Sequence, residues 1–256
     1  MWKTLATAVA AVVCSCGVAL ANPFSANLCQ EELPSKDWYC VEVSAGDTWY
    51  RLVPDLEYRD TVQKFNRQNQ SLRAGDMLVF PPANLSWNQL APFAQTNYVD
   101  KEEVIVFDPQ NLAWAHYFYG QLVTWGPAVG GKNWCADKNR GRGGPCRTDV
   151  GTFHFTEAAS PSRRSSAYPV GCTGRSCALM PYFTRFTNRG QGIHARFMHG
   201  ENASHGCIGV FEHDARYINQ RVRELANKNS FGYLTQREIS SSKDRIELVV
   251  YPYTTH

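Results

Sequence analysis

The chain has 256 residues, of which 43% are hydrophobic, 19% charged and 12% aromatic, with a formal net charge of +3. So much apolar material at so low a net charge excludes a disordered chain and supplies one or two compact cores. A single apolar run of note, at the extreme N-terminus, excludes a polytopic membrane protein.

Met1 to Pro23 reads as a secretory signal peptide. Lys3 provides the positive start, Leu5 to Val18 the apolar stretch, and Ala19-Leu20-Ala21 a small-x-small cleavage site, so residues 1–21 are expected to be removed. A lipidated Cys16 is the rival reading, but the residues before it fit a lipoprotein site poorly. Either way the chain is expected outside the cytoplasm, in the periplasm or cell envelope and peripheral to the membrane at most. Cleavage after Ala21 removes two of nine cysteines. Thiols pair in an oxidising compartment, and proximity along the chain suggests Cys29 with Cys40, Cys135 with Cys146 and Cys172 with Cys177, although six cysteines admit many pairings. Cys207 has no close neighbour. It is an inert buried thiol, half of an intermolecular bridge, or a nucleophile kept reduced for its chemistry.

Residues 24–36 are polar and read as irregular. From Trp38 onward, the alternating Tyr39-Cys40-Val41-Glu42-Val43 predicts a strand, and Asp47 or Thr48 can cap a short helix that Pro54 should end. A second helix is expected around Thr61 to Asn66, and a strand over Met77 to Phe80. This strand–helix–helix–strand pattern, with Ser44-Ala45-Gly46-Asp47-Thr48, Asn66 and the Gly75-Asp76 turn leading to Pro81, resembles a LysM module over residues 37–82. The resemblance implies binding to the glycan backbone of peptidoglycan or chitin; the plainer alternative is a small αβ spacer. Residues 83–100 read as a linker.

Charge changes sign across that linker. Residues 22–100 hold six Lys/Arg against ten Asp/Glu, and residues 101–256 hold nineteen against thirteen. The basic second half suits an anionic or carboxylate-bearing partner, and nucleic acid is not expected in that compartment. Val104 to Phe107 predicts a buried strand, and Ala113 to Tyr119 and Leu122 to Trp125 a hairpin turning at Gly120-Gln121. Gly126 to Gly144 reads as a glycine-rich loop, and Val150 to Thr156 as a strand. Ala215, Ile218, Val222 and Leu225 form one stripe of an amphipathic helix, and Arg245 to Tyr251 closes in β structure. The second half is therefore mostly β with few helices.

Between Gly192 and Ile208 the chain concentrates three histidines and the unpaired cysteine. A thiol needs an adjacent imidazole to take its proton, and Gly206 allows a tight turn that aims backbone N–H groups at a developing oxyanion. A zinc site of His194, His199, His205 and Cys207 is the competing reading; its spacing fits no standard motif. Histidines that merely cap loops beside a structural thiol are a third.

Ser204-His205-Gly206-Cys207-Ile208, preceded by Ile193-His194, resembles the signature of the L,D-transpeptidases with a YkuD-type catalytic domain. Met180-Pro181-Tyr182-Phe183, Gly126 to Gly131 and Arg147 to Phe153 agree with it, and the resemblance spans roughly residues 101–252. It implies a YkuD-like β-sandwich with one or more short helices, needing no cofactor or metal. His194 would be the base, its tautomer held by a backbone carbonyl such as that of Ala195, and Cys207 the nucleophile. The N–H groups of Gly206 and Cys207 would hold the oxyanion, His205 would assist, and Ser204, Arg196 and Tyr182 would meet substrate. The implied reaction forms a thioester with a peptidoglycan tetrapeptide stem, releases D-alanine and transfers the acyl group to an amine. Carbapenem-type inhibitors would acylate the same thiol. Water as acceptor would make the enzyme an L,D-carboxypeptidase. One departure stands out: many members carry Arg two residues after the cysteine, or Asn, and this chain has Gly209. That keeps a non-catalytic wall-binding or host-interaction protein on the same fold in view.

Overall fold

The computed structural model describes residues 22–135, 144–225 and 246–253. The expected signal peptide, residues 1–21, lies outside them. The chain begins with a helix where irregular structure was expected: α1 (Pro23–Gln30) is capped by the Asn22 side chain, which accepts from the Ser25 N–H, and carries a proline in its first turn, where no backbone donor is needed. The mostly polar composition of this stretch hid it, and its periodicity is weak.

The next four elements are β1 (Tyr39–Glu42), α2 (Trp49–Leu52), α3 (Leu56–Phe65) and β2 (Met77–Phe80). Thr48 and Asp55 cap the two helices, and α2 stops at Val53, ahead of Pro54. The strands pair antiparallel, Tyr39 opposite Phe80 and Glu42 opposite Met77. Val43, Val53, Val62, Leu78 and Phe80 form a small core of their own. Asn66 is buried and ties the unit together: its amide donates to the carbonyls of Val62 and Val79, and its oxygen accepts from the Val79 N–H and the Ser25 hydroxyl. The Cys29–Cys40 disulfide fixes α1 to β1.

Residues 83–100 are packed against the second half of the chain rather than running free. Leu90 is buried, and Leu85, Trp87, Phe93 and Tyr98 cover one face of the sheet beyond. Trp87 and Trp125 stack at 3.8 Å, and each donates its indole N–H to the other's backbone carbonyl, at 2.8 and 2.9 Å.

The second half is mostly β. The strands are β3 (Glu103–Asp108), β4 (Ala113–Phe118), β5 (Gln121–Val129), β6 (Gly151–His154), β7 (Glu157–Ala158), β8 (Thr184–Arg185), β9 (Gly192–Ala195), β10 (Ile208–Val210) and β11 (Glu247–Val250). They form one nine-stranded sheet in the order β6-β11-β3-β4-β5-β10-β9-β8-β7. Tyr119 and Gly120 (φ 44° and 77°) make the two-residue turn between β4 and β5 that a right-twisted hairpin favours. β5 runs on through Gly126 to Val129, correcting the expected loop. Its last residues pair with β10, Ala128 opposite Val210 and Val129 opposite Gly209.

Alternation decides what each face covers. Ile105, Phe107 and Trp114 from the β3–β4 half share one core with Ile193, Ile208 and Val210 from the β9–β10 half, so the sandwich is one open sheet curled over on itself. α4 (Glu212–Leu225) contributes Ala215, Ile218 and Val222 to that core, as its spacing predicts. Val104, Val106, Ala115 and Trp125 face the opposite way, under the packed 83–100 segment.

α4 also carries polar anchors. Asn219 donates to the carbonyls of Ala159 and Tyr182, and Arg221 binds Glu103 through Nε and Nη2 at 3.1 and 2.9 Å. Glu103 in turn meets His116 Nε2 at 3.0 Å, and His116 Nδ1 contacts the Tyr217 hydroxyl at 2.7 Å.

Candidate active site

The three disulfides are those that chain proximity suggested, and Cys207 is the free cysteine among the described residues. Strand register places His194 on the neighbouring strand. β9 and β10 run parallel, with Ile193 opposite Ile208, His194 opposite Gly209 and Ala195 opposite Val210. Ile193 and Ile208 point into the core, so His194 and Gly209 point away from it. Cys207, two residues before Gly209, shares their face, and so does Arg196, two residues after His194.

His194 is oriented by its own strand. Its Nδ1 lies 2.9 Å from the Ala195 carbonyl, which can only accept, so Nδ1 donates and Nε2 is left as the basic nitrogen. Burial pulls the imidazole from an ordinary 6.5 down to about 4; the Ala195 carbonyl opposes this and Arg196 adds to it. The same burial pushes the Cys207 thiol up, against the Gly192 N–H near the sulfur and the charges of Arg196 and Arg185. At neutral pH the resting pair is therefore thiol and neutral imidazole. The charges of Arg196 and Arg185 and the Gly192 N–H favour a thiolate at this position.

The turn before the nucleophile requires its glycine. Gly206 has φ +113°, and a Cβ there would sit 2.8 Å from Gln191 Nε2. Ser204, expected to touch substrate, is buried and builds this turn instead: its hydroxyl donates to the Cys207 carbonyl at 2.5 Å and accepts from the Gly206 N–H at 3.0 Å. That second bond also corrects the oxyanion assignment, because it occupies the Gly206 N–H. The Cys207 N–H is the remaining candidate.

Arg196 takes the space above Gly209. A Cβ at 209 would lie 2.0 Å from Arg196 Cδ and 2.3 Å from Cγ, so the glycine accommodates the stem of an arginine arriving from the neighbouring strand. His205 is exposed and stacked on Tyr168 at 4.4 Å. Tyr182 is half-buried against the core with left-handed φ of 58°, and its carbonyl accepts from Asn219. His199 packs against the N-terminal unit, bridged to Gln68. Among the described residues no group of three or more His, Cys, Asp or Glu is placed to hold a metal. Sequence reasoning missed Gly192, Arg185 and Gln191, which act through a backbone N–H, a through-space charge and a contact across the turn; no local motif marks any of them.

A partly buried thiol just before β10 and an oriented imidazole on β9 thus stand on one face of a mostly β fold. The family model described as the L,D-transpeptidase catalytic domain, YkuD, matches residues 101–234, and the chain belongs to that family. Solved structures similar to the chain include an L,D-transpeptidase from Xylanimonas cellulosilytica, 18% identical, TM-score 0.48, covering 75% of this chain and 79% of that one. Another, from Stackebrandtia nassauensis, is 14% identical with TM-score 0.41 and covers 63% of this chain and 61% of that one. A third, L,D-transpeptidase 3 from Mycobacterium tuberculosis in complex with a faropenem-derived adduct, is 14% identical with TM-score 0.39 and covers 73% and 78%. No curated protein sequence matches the chain.

Proposed function

We propose that the chain is an exported cell-wall enzyme whose Cys207 is acylated by a peptidoglycan tetrapeptide stem. His194 Nε2 takes the thiol proton as the sulfur attacks the carbonyl of the third stem residue. The Cys207 N–H holds the oxyanion, and the tetrahedral adduct collapses with His194 returning the proton to the departing D-alanine amine. An amine of a second stem then attacks the thioester, loses its proton to His194 and restores the thiol. The observation that carries this reading is the parallel β9–β10 register, with His194 locked by Ala195 on the face shared with Cys207.

Arg196, lying over Gly209 and acting on the Cys207 sulfur, serves in this reading as the cation that meets substrate. Its presence weighs against a non-catalytic role resting on Gly209. His205 and Tyr182 line the approach. The N-terminal β–α–α–β unit acts as a LysM-like glycan holder, and the three disulfides suit an oxidising envelope compartment.

The test is intact mass of the full secreted chain after incubation with a carbapenem. One adduct, mapped to Cys207 and absent from Cys207→Ala, is expected; an unmodified wild-type mass would refute the acyl-enzyme. Incubation with isolated stems then separates cross-linked dimer from simple loss of D-alanine, the water-using outcome.

A further inference from the structure

We propose that the cavity between the N-terminal unit and residues 196–203 is a subsite for a substrate carboxylate, and that Arg73 and Gln70 help to select it. This deepens the acyl-transfer reading above and rests on it. The cavity holds about 160 Å³. Pockets that enclose a whole drug-sized ligand measure roughly 300–1,000 Å³, so this one takes an end of a substrate.

Its walls come from both halves of the chain. Gln70 and Arg73 line one side, and Arg196, Phe197, His199 and Glu201 the other. Cations outnumber anions among the lining residues: two guanidiniums stand against one carboxylate. Both ring nitrogens of His199 are buried without a hydrogen-bond partner among the described residues. The nearest charged atom, Asp76 Oδ1, is 4.0 Å from Nε2, beyond hydrogen-bond reach. Unsatisfied buried nitrogens are costly, and a small turn of the His199 ring toward a ligand oxygen in the cavity would offset that cost. Glu201, exposed at the rim, favours a carboxylate with an ammonium beside it, as at the free end of an amino acid.

The subsite is tied to the chemistry through one side chain. Arg196 lines the cavity and also favours charge on the Cys207 sulfur. The wall is held in place by the Gln68–His199 bridge, by Met198 N–H donating to Asn69 Oδ1 at 2.7 Å and by Gly200 N–H donating to the Arg67 carbonyl at 3.0 Å. The N-terminal unit is thereby part of the substrate site as well as a tether.

The carboxylate could come from the terminus of the donor stem or from an acceptor whose carboxylate adjoins its amine. The full chain and its Arg73→Ala and Arg73→Lys variants distinguish these sources. One arm measures release from a tetrapeptide stem and from its C-terminal carboxamide. The other measures transfer to D-methionine and to its carboxamide. Arg73→Ala should raise KM for the carboxylate form about tenfold in one arm, the change falling on KM rather than kcat, and Arg73→Lys should recover most of it. The arm that responds names the source. Unchanged KM in both arms, with wild type acylated by a carbapenem, overturns the subsite alone; a wild type that is not acylated overturns the acyl-transfer reading as well.

Discussion

At the scale of single residues, the site is organised around a neutral pair. In the proposed reaction the base form of His194 takes the thiol proton, and burial lowers its pKa to about 4. The sign is simple: protonation of a depressed imidazole needs more acid than usual, so the acid limb of the acylation rate should fall near pH 4 rather than 6.5. A limb at the ordinary histidine value, measured by stopped-flow acylation, would mean that the imidazole is solvated in solution. Gly206 gives a second test. Alanine there meets both a left-handed φ and the Gln191 amide, and the displaced turn would carry Cys207 with it. Gly206→Ala should lose acylation at least about a hundredfold while retaining most of the fold, because a misplacement of about 1 Å is that costly. Near-wild-type acylation by this variant would show that the turn adapts.

Elements show how much of this was legible beforehand. The α4 stripe, the β4–β5 hairpin and the capped helices around Pro54 were readable, because each depends on local spacing or on the stereochemistry of one residue. The end of β5 was not. Gly126 and Pro127 signal a turn locally, yet Pro127 stands where β5 passes from β4 to β10, so its missing N–H is tolerated. Cys207 and His194 stand out in the sequence as a motif, and strand register puts them on one face; the turn-building part of Ser204 did not stand out, because a hydroxyl beside such a cysteine has the same sequence signature whether it meets substrate or holds a turn. α4 offers an energetic test. Burial alone would raise the Glu103 carboxyl, but hydrogen bonds and charge from His116 and Arg221 outweigh it and lower its pKa. The stability it contributes is therefore complete above the ordinary carboxylate range and is lost as pH falls through and below it. Glu103→Gln should destabilise the fold by about 2 kcal/mol at neutral pH, since it removes the buried anion that accepts two hydrogen bonds from Arg221 and leaves that guanidinium only Glu224. It should also flatten the acid side of a denaturant-midpoint profile; an unchanged midpoint at pH 7 would show that the network is redundant.

Across the whole molecule, the two halves are joined by Arg67. It is buried, with left-handed φ of 55°, and donates to the carbonyls of Lys64, Phe65 and Asn111. Its guanidinium also lies over Phe24 and Trp125, at 4.6 and 5.2 Å from the ring centroids. No periodicity or motif announced this role, because the contacts span elements far apart in the chain. Arg67→Ala leaves three carbonyls to be satisfied otherwise, and should cost about 3 kcal/mol. Thermal unfolding should fall accordingly, and protease cleavage within 83–100 should quicken; an unaltered cleavage rate would place the joint elsewhere.

The Trp87–Trp125 pair carries a practical consequence. The family match starts at residue 101, but the outer face of β3–β5 is roofed by residues upstream of that point. A fragment trimmed to the family boundary would bare Val104, Val106, Ala115 and Trp125 on a β surface of the kind that seeks other chains. Such a fragment is expected to precipitate where one beginning at Asn22 stays monomeric. For this chain, the unit that evolution copies and the unit that folds end in different places.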